Sequence, residues 1–226
     1  VGGESMTGAA RLAARAARRT GVGIVSILAS SKTVDIYRSC DPGNLVLDLA
    51  DTKSISEILM DVRKNCILVG PGGGVSQETR NHVISALKTK RPVILDADAL
   101  TSFEEDPETL FSWIKGPCIM TPHSAEFQGI FNFQGDRLTK CRSAAKMSGA
   151  VVLLKGSDTV IADPSGRAII NSNAPSCLAV AGSGDVLAGI IAGLVSQGMP
   201  TFEAAGAAAW MHGAAAMSAG PGLISE

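Results

Sequence analysis

The stretch AGSGDVLAGIIAGLVSQG, residues Ala181 to Gly198, decides how the rest of the 226-residue chain reads. A Gly182-Ser183-Gly184 turn delivers a lone carboxylate, Asp185, to the mouth of an almost wholly apolar run. The run predicts a buried helix, and glycines before it let backbone N–H groups approach an anion, which the helix N-terminus also favours. Taken alone, such a turn can be purely structural. A carboxylate at a helix N-terminus is ordinary capping chemistry, yet a cap needs no paired glycines before it. With a phosphate held by Gly182, Ser183 and Gly184, Asp185 stands within reach of an attacking hydroxyl, where a general base belongs.

Working outward from that stretch, strand-like and helix-like segments alternate. GIVSIL (23–28), CILVG (66–70), PVILDADAL (92–100), the start of CIMTPHSAEF (118–127) and VVLLKG (151–156) predict strands. Helices are expected over Thr7–Thr20, around Gln77–Leu87 and over Phe202–Ser218, and TVIADPSGRAII (159–170) reads as a hairpin turning on Asp163-Pro164-Ser165-Gly166. The pattern predicts an α/β fold: a mostly parallel sheet with helices on both faces and one late β-hairpin. No repeat, linker or low-complexity block divides the chain, so residues 1–226 are expected to form one domain. Both ends, VGGES and GPGLISE, read as cut.

Bulk properties exclude several classes. The net charge of −1 gives no electrostatic case for a nucleic-acid or membrane partner. Five scattered cysteines without a CxxC pair point to free thiols in a reducing compartment, with Cys66 and Cys118 in apolar runs expected in the core. The N-terminus lacks a basic segment followed by an apolar one, and no apolar run approaches a membrane span, so a cytoplasmic protein is expected.

Ligands of open α/β sheets bind beyond the carboxyl ends of the strands. Polar residues collect there: Pro71–Gly74, Asp96 and Asp98, His123 and Glu126, Lys155, and the Gly182–Asp185 loop. On a strand, Asp96 and Asp98 would share a face, offering a metal or substrate hydroxyl a pair of carboxylates or simply ending the strand in solvent. His123 either meets a ligand or bonds the backbone of a turn. His82 is expected on an exposed helix face and His212 packed within its Ala-rich helix. Arg11, Arg15 and Arg18 are read as a solvated face.

Together, VGPGGG (69–74), LDADAL (95–100), TPHSAEF (121–127), LLKGSDTVI (153–161) and NAPSCLAVAGSGDVLAGIIAGL (173–194) resemble the ribokinase-like superfamily, and within it the NAD(P)H-hydrate dehydratases. The resemblance implies a three-layer ribokinase-like fold and a lyase that uses ADP or ATP, with Mg²⁺ on the nucleotide phosphates, to repair hydrated NADH and NADPH. It implies Asp185 as base and Gly182–Gly184 as anion hole. Ala9 in a Gly8-Ala9-Ala10 turn, Gly74, His123 and Asp185 would meet the hydrated nicotinamide. Lys155, Gly156, Ser157, Asp158, Thr159 and Gly184 would meet the adenine nucleotide. It also implies a homo-oligomer, a tetramer by family habit, and many relatives carry a fused N-terminal epimerase domain. Ser124-Ala125 departs from the Pro-Gly common in the family. The strand that the family completes before VGG has no counterpart in this sequence.

Two rivals make different predictions. An ordinary small-molecule kinase of this fold, acting on a sugar or vitamin alcohol, would release a stable phosphorylated product. A non-catalytic nucleotide-binding module would be expected to have lost Asp185, which this chain keeps.

Overall fold

The computed structural model describes residues 6–51 and 55–226, so the opening VGGES lies outside the described residues. Helix α1 (Thr7–Arg19) leads into β1 (Val25–Ala29), α2 (Val34–Arg38) and β2 (Asn44–Asp48). Next come α3 (Ile55–Leu59), β3 (Ile67–Val69), α4 (Gln77–Lys88) and β4 (Val93–Leu95). Two short helices, α5 (Asp98–Thr101) and α6 (Pro107–Trp113), precede β5 (Cys118–Met120), α7 (Ser124–Ile130) and α8 (Arg137–Ser148). After β6 (Val151–Leu154), β7 (Thr159–Ala162) and β8 (Ala168–Asn171) come α9 (Ser183–Ser196) and α10 (Thr201–Ala219).

Strands β3 to β8 form one sheet in sequence order, parallel as far as β6 and antiparallel from β6 to β8. The β7–β8 turn is the expected hairpin, fixed by Asp163, whose Oδ1 accepts from the Ser165 and Arg167 amides. Beside the expected sheet stands a second one: β1 and β2 pair in parallel with each other.

Strand periodicity explains the layers. Val69, Leu95, Met120, Val152 and Leu154 turn to one face, against Val83 and Leu87 of α4, Phe127 of α7 and Ala144 of α8. Ile94, Ile119, Val151, Leu153 and Ile161 turn to the other, against Ile190 and Ile191 of α9 and Ala205 and Ala208 of α10. Burial on both faces is why these strands are apolar throughout rather than alternating.

On the second face α1 lies against α9 at very short range. A β-carbon at Gly189 would stand 2.2 Å from the Ala13 carbonyl oxygen, and one at Gly193 would stand 2.7 Å from Thr20 Cβ. A Gly189→Ala substitution therefore meets backbone, not a flexible side chain. Alanine is the better helix former by roughly 1 kcal/mol, but overpacking costs about 1–3 kcal/mol, and here the obstruction cannot swing away. At the upper end of that cost the net loss is about 2 kcal/mol, which lowers Tm by roughly 4–8 °C in a chain of this length. An unchanged or higher Tm in a thermal melt would show that α1 can lift off α9 freely.

Three features depart from the sequence reading. His82 is buried on α4, not exposed; burial holds its pKa below the ordinary value, with Glu78 3.9 Å away opposing the shift. Arg18 is half-buried and paired with Asp41 at 2.5 Å, while Arg11 and Arg15 form the exposed face expected. The Gly8-Ala9-Ala10 segment is helical, part of α1, because an Ala-rich run from Thr7 onward holds helix without interruption. His212 is packed as expected, burial pushing its pKa down to about 4. All five cysteines are free; Cys118 is buried in the core and Cys66 partly buried against it, and burial pushes both thiols up to about 12, so neither is poised as a nucleophile.

Candidate active site

The ends of β3, β4, β5 and β6 and the start of α9 converge on one cluster of charges. At the end of β3 the chain turns through Gly70 (φ +125°), where a β-carbon would lie 1.7 Å from the Asp96 carbonyl oxygen. Only glycine permits that approach. The turn continues to Gly74, whose amide donates to Asp98 Oδ2 at 2.8 Å. Ala9 is buried near the start of α1, and its Cβ would sit 3.3 Å from a β-carbon on Gly72, so α1 abuts this turn.

Asp96 and Asp98 do not share a strand face. The strand stops at Leu95, Ala97 takes a left-handed φ of +48°, and Asp98 opens α5. That backbone is strained for alanine, by roughly 1–3 kcal/mol. The kink separates the two carboxylates: Asp98 faces the Gly74 turn, while Asp96 turns into the sheet end. There Asp96, 2% exposed, accepts from Thr121 Oγ1 at 2.8 Å and from Lys155 Nζ at 2.7 Å.

Lys155 follows the last residue of β6, and its amide donates to the Pro122 carbonyl at 2.9 Å. Its ammonium also lies 3.7 Å from Glu126 Oε2. Burial pulls its pKa down, but Asp96 and Glu126 more than offset this, and the net direction is up: the amine stays charged.

His123 caps α7. Its Nδ1 accepts from the Ala125 and Glu126 amides, both at 3.1 Å, while Glu126 Oε2 accepts from the His123 amide at 2.7 Å. This is a capping box with an imidazole in the place usually held by Ser or Thr. Because Nδ1 accepts, the neutral ring carries its proton on Nε2, which lies 3.4 Å from Glu126 Oε1 on a half-exposed side chain. The backbone bonding expected of His123 is present, and it leaves the half-exposed ring open to a ligand as well.

Helix α9 starts at Gly182 (φ +82°) without any side-chain cap. The Ser183 amide donates to the Val180 carbonyl at 3.3 Å; the next two, of Gly184 and Asp185, have no acceptor among the described residues. These are orphan donors at the positive end of a 14-residue helix. A β-carbon on Gly184 would lie 3.5 Å from Lys155 Nζ, so the helix end meets the charge cluster. Burial first, then Asp96, raises the Asp185 pKa to about 6; Lys155 opposes the shift, and Asp98 and Glu126 add to it. A carboxylic acid tuned to that range beside unpaired amides is suited to taking a proton from a hydroxyl.

Residues 155–159 form a compact turn in which Thr159 Oγ1 donates to the Gly156 carbonyl at 2.9 Å and sits 3.3 Å from the Gly156 amide. Asp158 is paired with Arg137 at 3.2 Å. The sequence reading singled out neither Arg137 nor Thr121. The only hint for Arg137 was positional: it is a cation at the first position of a helix, where a cation is disfavoured.

The chain matches the family model described as NAD(P)H-hydrate dehydratase over residues 1–220. It belongs to that family. It is 38% identical to the ADP-dependent (S)-NAD(P)H-hydrate dehydratase of Neisseria meningitidis, covering 96% of this chain and 74% of the relative. It is 37% identical to a bifunctional NAD(P)H-hydrate repair enzyme of Moorella thermoacetica, where it spans 43% of the relative's length. Against the ADP/ATP-dependent NAD(P)H-hydrate dehydratase of Bacillus subtilis, co-crystallised with ATP and Mg²⁺, the TM-score is 0.83 at 28% identity, over all of this chain and 80% of that one. The fold is therefore the ribokinase-like α/β architecture of the hydrate dehydratases. A hydroxyethylthiazole kinase of Pyrococcus horikoshii shares the fold at a TM-score of 0.63 and 15% identity.

The Bacillus subtilis relative was co-crystallised with ATP and Mg²⁺. Among the described residues no three His, Cys, Asp or Glu side chains are grouped as a metal cage. Mg²⁺ ordinarily takes one or two carboxylates and fills its remaining positions with phosphate and water. No described helix is long and apolar enough to cross a membrane.

Proposed function

We propose that this chain returns the S form of hydrated NADH and NADPH to NADH and NADPH, with ADP or ATP as phosphoryl donor, in one ribokinase-like domain. The observation that carries the reading is Asp185, with its pKa near 6, at the uncapped start of α9 and in the field of Lys155, Asp96 and Glu126. The names of the relatives from Neisseria and Bacillus support the donor and the substrate.

Each residue then has a task. Asp185 takes the proton of the ring hydroxyl as its oxygen attacks the terminal phosphorus of the nucleotide. The Gly182, Gly184 and Asp185 amides, with Ser183 closing the turn on Val180, bind the negative oxygens of the transferring group. Lys155 holds the donor phosphates, and Gly156, Ser157, Asp158 and Thr159 hold the rest of the nucleotide. Ala9, Gly74 and His123 hold the nicotinamide side, His123 through its half-exposed ring. The phosphate ester leaves with the C–O bonding pair as the ring nitrogen's lone pair pushes in. Loss of a proton from the neighbouring ring carbon restores the double bond, so the nucleotide loses one phosphate and the net result is dehydration. Homo-oligomerisation and a cytoplasmic setting are part of the same proposal.

The test mixes the protein with hydrated NADH and either nucleotide and follows the NADH absorbance band and free phosphate. A stable phosphorylated product without NADH would favour the kinase reading. The same assay yields a pH profile. Asp185 must be ionised to act, so kcat/KM should rise about tenfold per pH unit below pH 6 and level off above it. A profile flat from pH 5 to 8, in roughly the span where the limb is expected, would remove Asp185 from the role of base.

A further inference from the structure

The side chain of Arg137 makes contacts that helix α8 does not need. A guanidinium at the first position of a helix works against the macrodipole, and α8 already has its cap in Asp136, whose Oδ1 accepts from the Thr139 amide at 2.8 Å. The Arg137 side chain instead leaves its own helix. Nη2 donates to the carbonyls of Leu154 and Lys155, both at 3.0 Å. Nε lies 3.2 Å from Asp158 Oδ1, and Nη1 lies 3.4 Å from Ser124 Oγ. One planar fork thus touches both limbs of the 155–159 turn and the residue after His123. Gly156 is part of the arrangement: a β-carbon there would stand 2.4 Å from Nη2, so any side chain there would push the guanidinium out of this position.

We infer that Arg137 is a positioning residue for the reaction proposed above. It fixes the nucleotide-binding turn against the α7 start, so that donor and acceptor meet in register. Its effect runs through Lys155. The Lys155 carbonyl is held by Arg137, its amide by Pro122, and its ammonium by Asp96 and Glu126, so backbone and side chain are pinned from three sides. Without the fork, the turn keeps the Thr159–Gly156 bonds and the Lys155 ties to Pro122 and Asp96, but Asp158 and the Leu154 and Lys155 carbonyls lose their link to α8 and to Ser124. The nucleotide must then order the turn as it binds. Lysine cannot replace the fork, because it brings a point charge and not two parallel donors.

The deciding measurement is nucleotide affinity, read directly by calorimetry on the intact chain with ADP and with ATP, because it does not depend on the dehydration reading. Arg137→Ala and Arg137→Lys should each weaken ADP and ATP binding by about ten- to a hundredfold, as expected for charge-assisted bonds. KM for hydrated NADH should change by less than about threefold, and added guanidinium ion should restore part of the Arg137→Ala loss. Asp158→Asn should reproduce a smaller part of the effect, which keeps the test open if Arg137→Ala fails to fold. Nucleotide affinity equal to wild type in Arg137→Lys would overturn the inference. So would parallel losses toward both substrates with a lowered Tm and no guanidinium rescue. A wild type that binds nucleotide but does not dehydrate would defeat the proposed function and leave this inference standing on its affinities; a wild type that binds neither nucleotide would overturn both.

Discussion

Asp185→Asn abolishes most turnover, by about 10²–10⁴-fold in kcat, and leaves ADP and ATP affinity near wild type. Asparagine keeps the size of the side chain and the helix start but cannot take the proton. The same substitution should make the protein more stable above pH 6. In the folded chain Asp185 has its pKa raised to about 6, above an ordinary carboxyl value of 3.8. A carboxyl raised in this way contributes stability that is complete below the unfolded pKa and lost as pH rises through the folded one. At pH 8 the wild type therefore holds a carboxylate that burial and Asp96 disfavour, and asparagine relieves it. Thermal melts of both proteins should differ at pH 8, with the variant higher, and converge near pH 4. A variant that is inactive but less stable at pH 8 would mean that Asp185 supports the fold, and its loss of activity would then say little about proton transfer. Destabilisation held in a working site is the trade expected where activity and stability compete.

The fold was legible where the pattern is long or the chemistry local. The β7–β8 hairpin and helices α9 and α10 follow from periodicity and from the residues at their ends, such as Gly182, Gly198 and Gly220. What escaped was tertiary. Ala97 reads as the middle of a strand in LDADAL because nothing in its neighbours signals a left-handed residue, yet that one φ places Asp98 under Gly74 and Asp96 beside Lys155. His82 sits in a polar run, QETRNHV, and its burial depends on which way α4 is turned against the sheet. For the site, sequence alone located the strand ends and the α9 turn. It could not show that Ser183 spends its amide on Val180, leaving those of Gly182, Gly184 and Asp185 without an acceptor among the described residues. Nor could it reveal Arg137, whose partners lie 13 to 21 residues away on other elements.

Lys155→Met should produce the largest loss of stability of any single change in the site. Lys155 is the cation among three acidic groups: Asp96 at 2.7 Å, Glu126 at 3.7 Å, and Asp185, which it restrains electrostatically. Methionine fills similar space but leaves the buried Asp96 facing Thr121 as its remaining donor among the described residues. Breaking a buried pair by removing one partner costs about 3–5 kcal/mol, because the surviving charge is uncompensated. In a chain of this length that is a fall in Tm of roughly 6–20 °C. The pH dependence identifies the cause. Lys155 is the one neighbour that holds the Asp185 pKa down, so without it that pKa rises beyond about 6. The variant should therefore be weakest at high pH and recover toward wild type as acid neutralises the cluster. Adding Asp96→Asn to Lys155→Met should restore a large part of the lost stability, whereas Asp96→Asn alone should destabilise. That non-additivity is the signature of a direct pair. Equal losses at pH 5 and pH 8, or strictly additive single and double variants, would show that Lys155 acts through packing of its aliphatic stem.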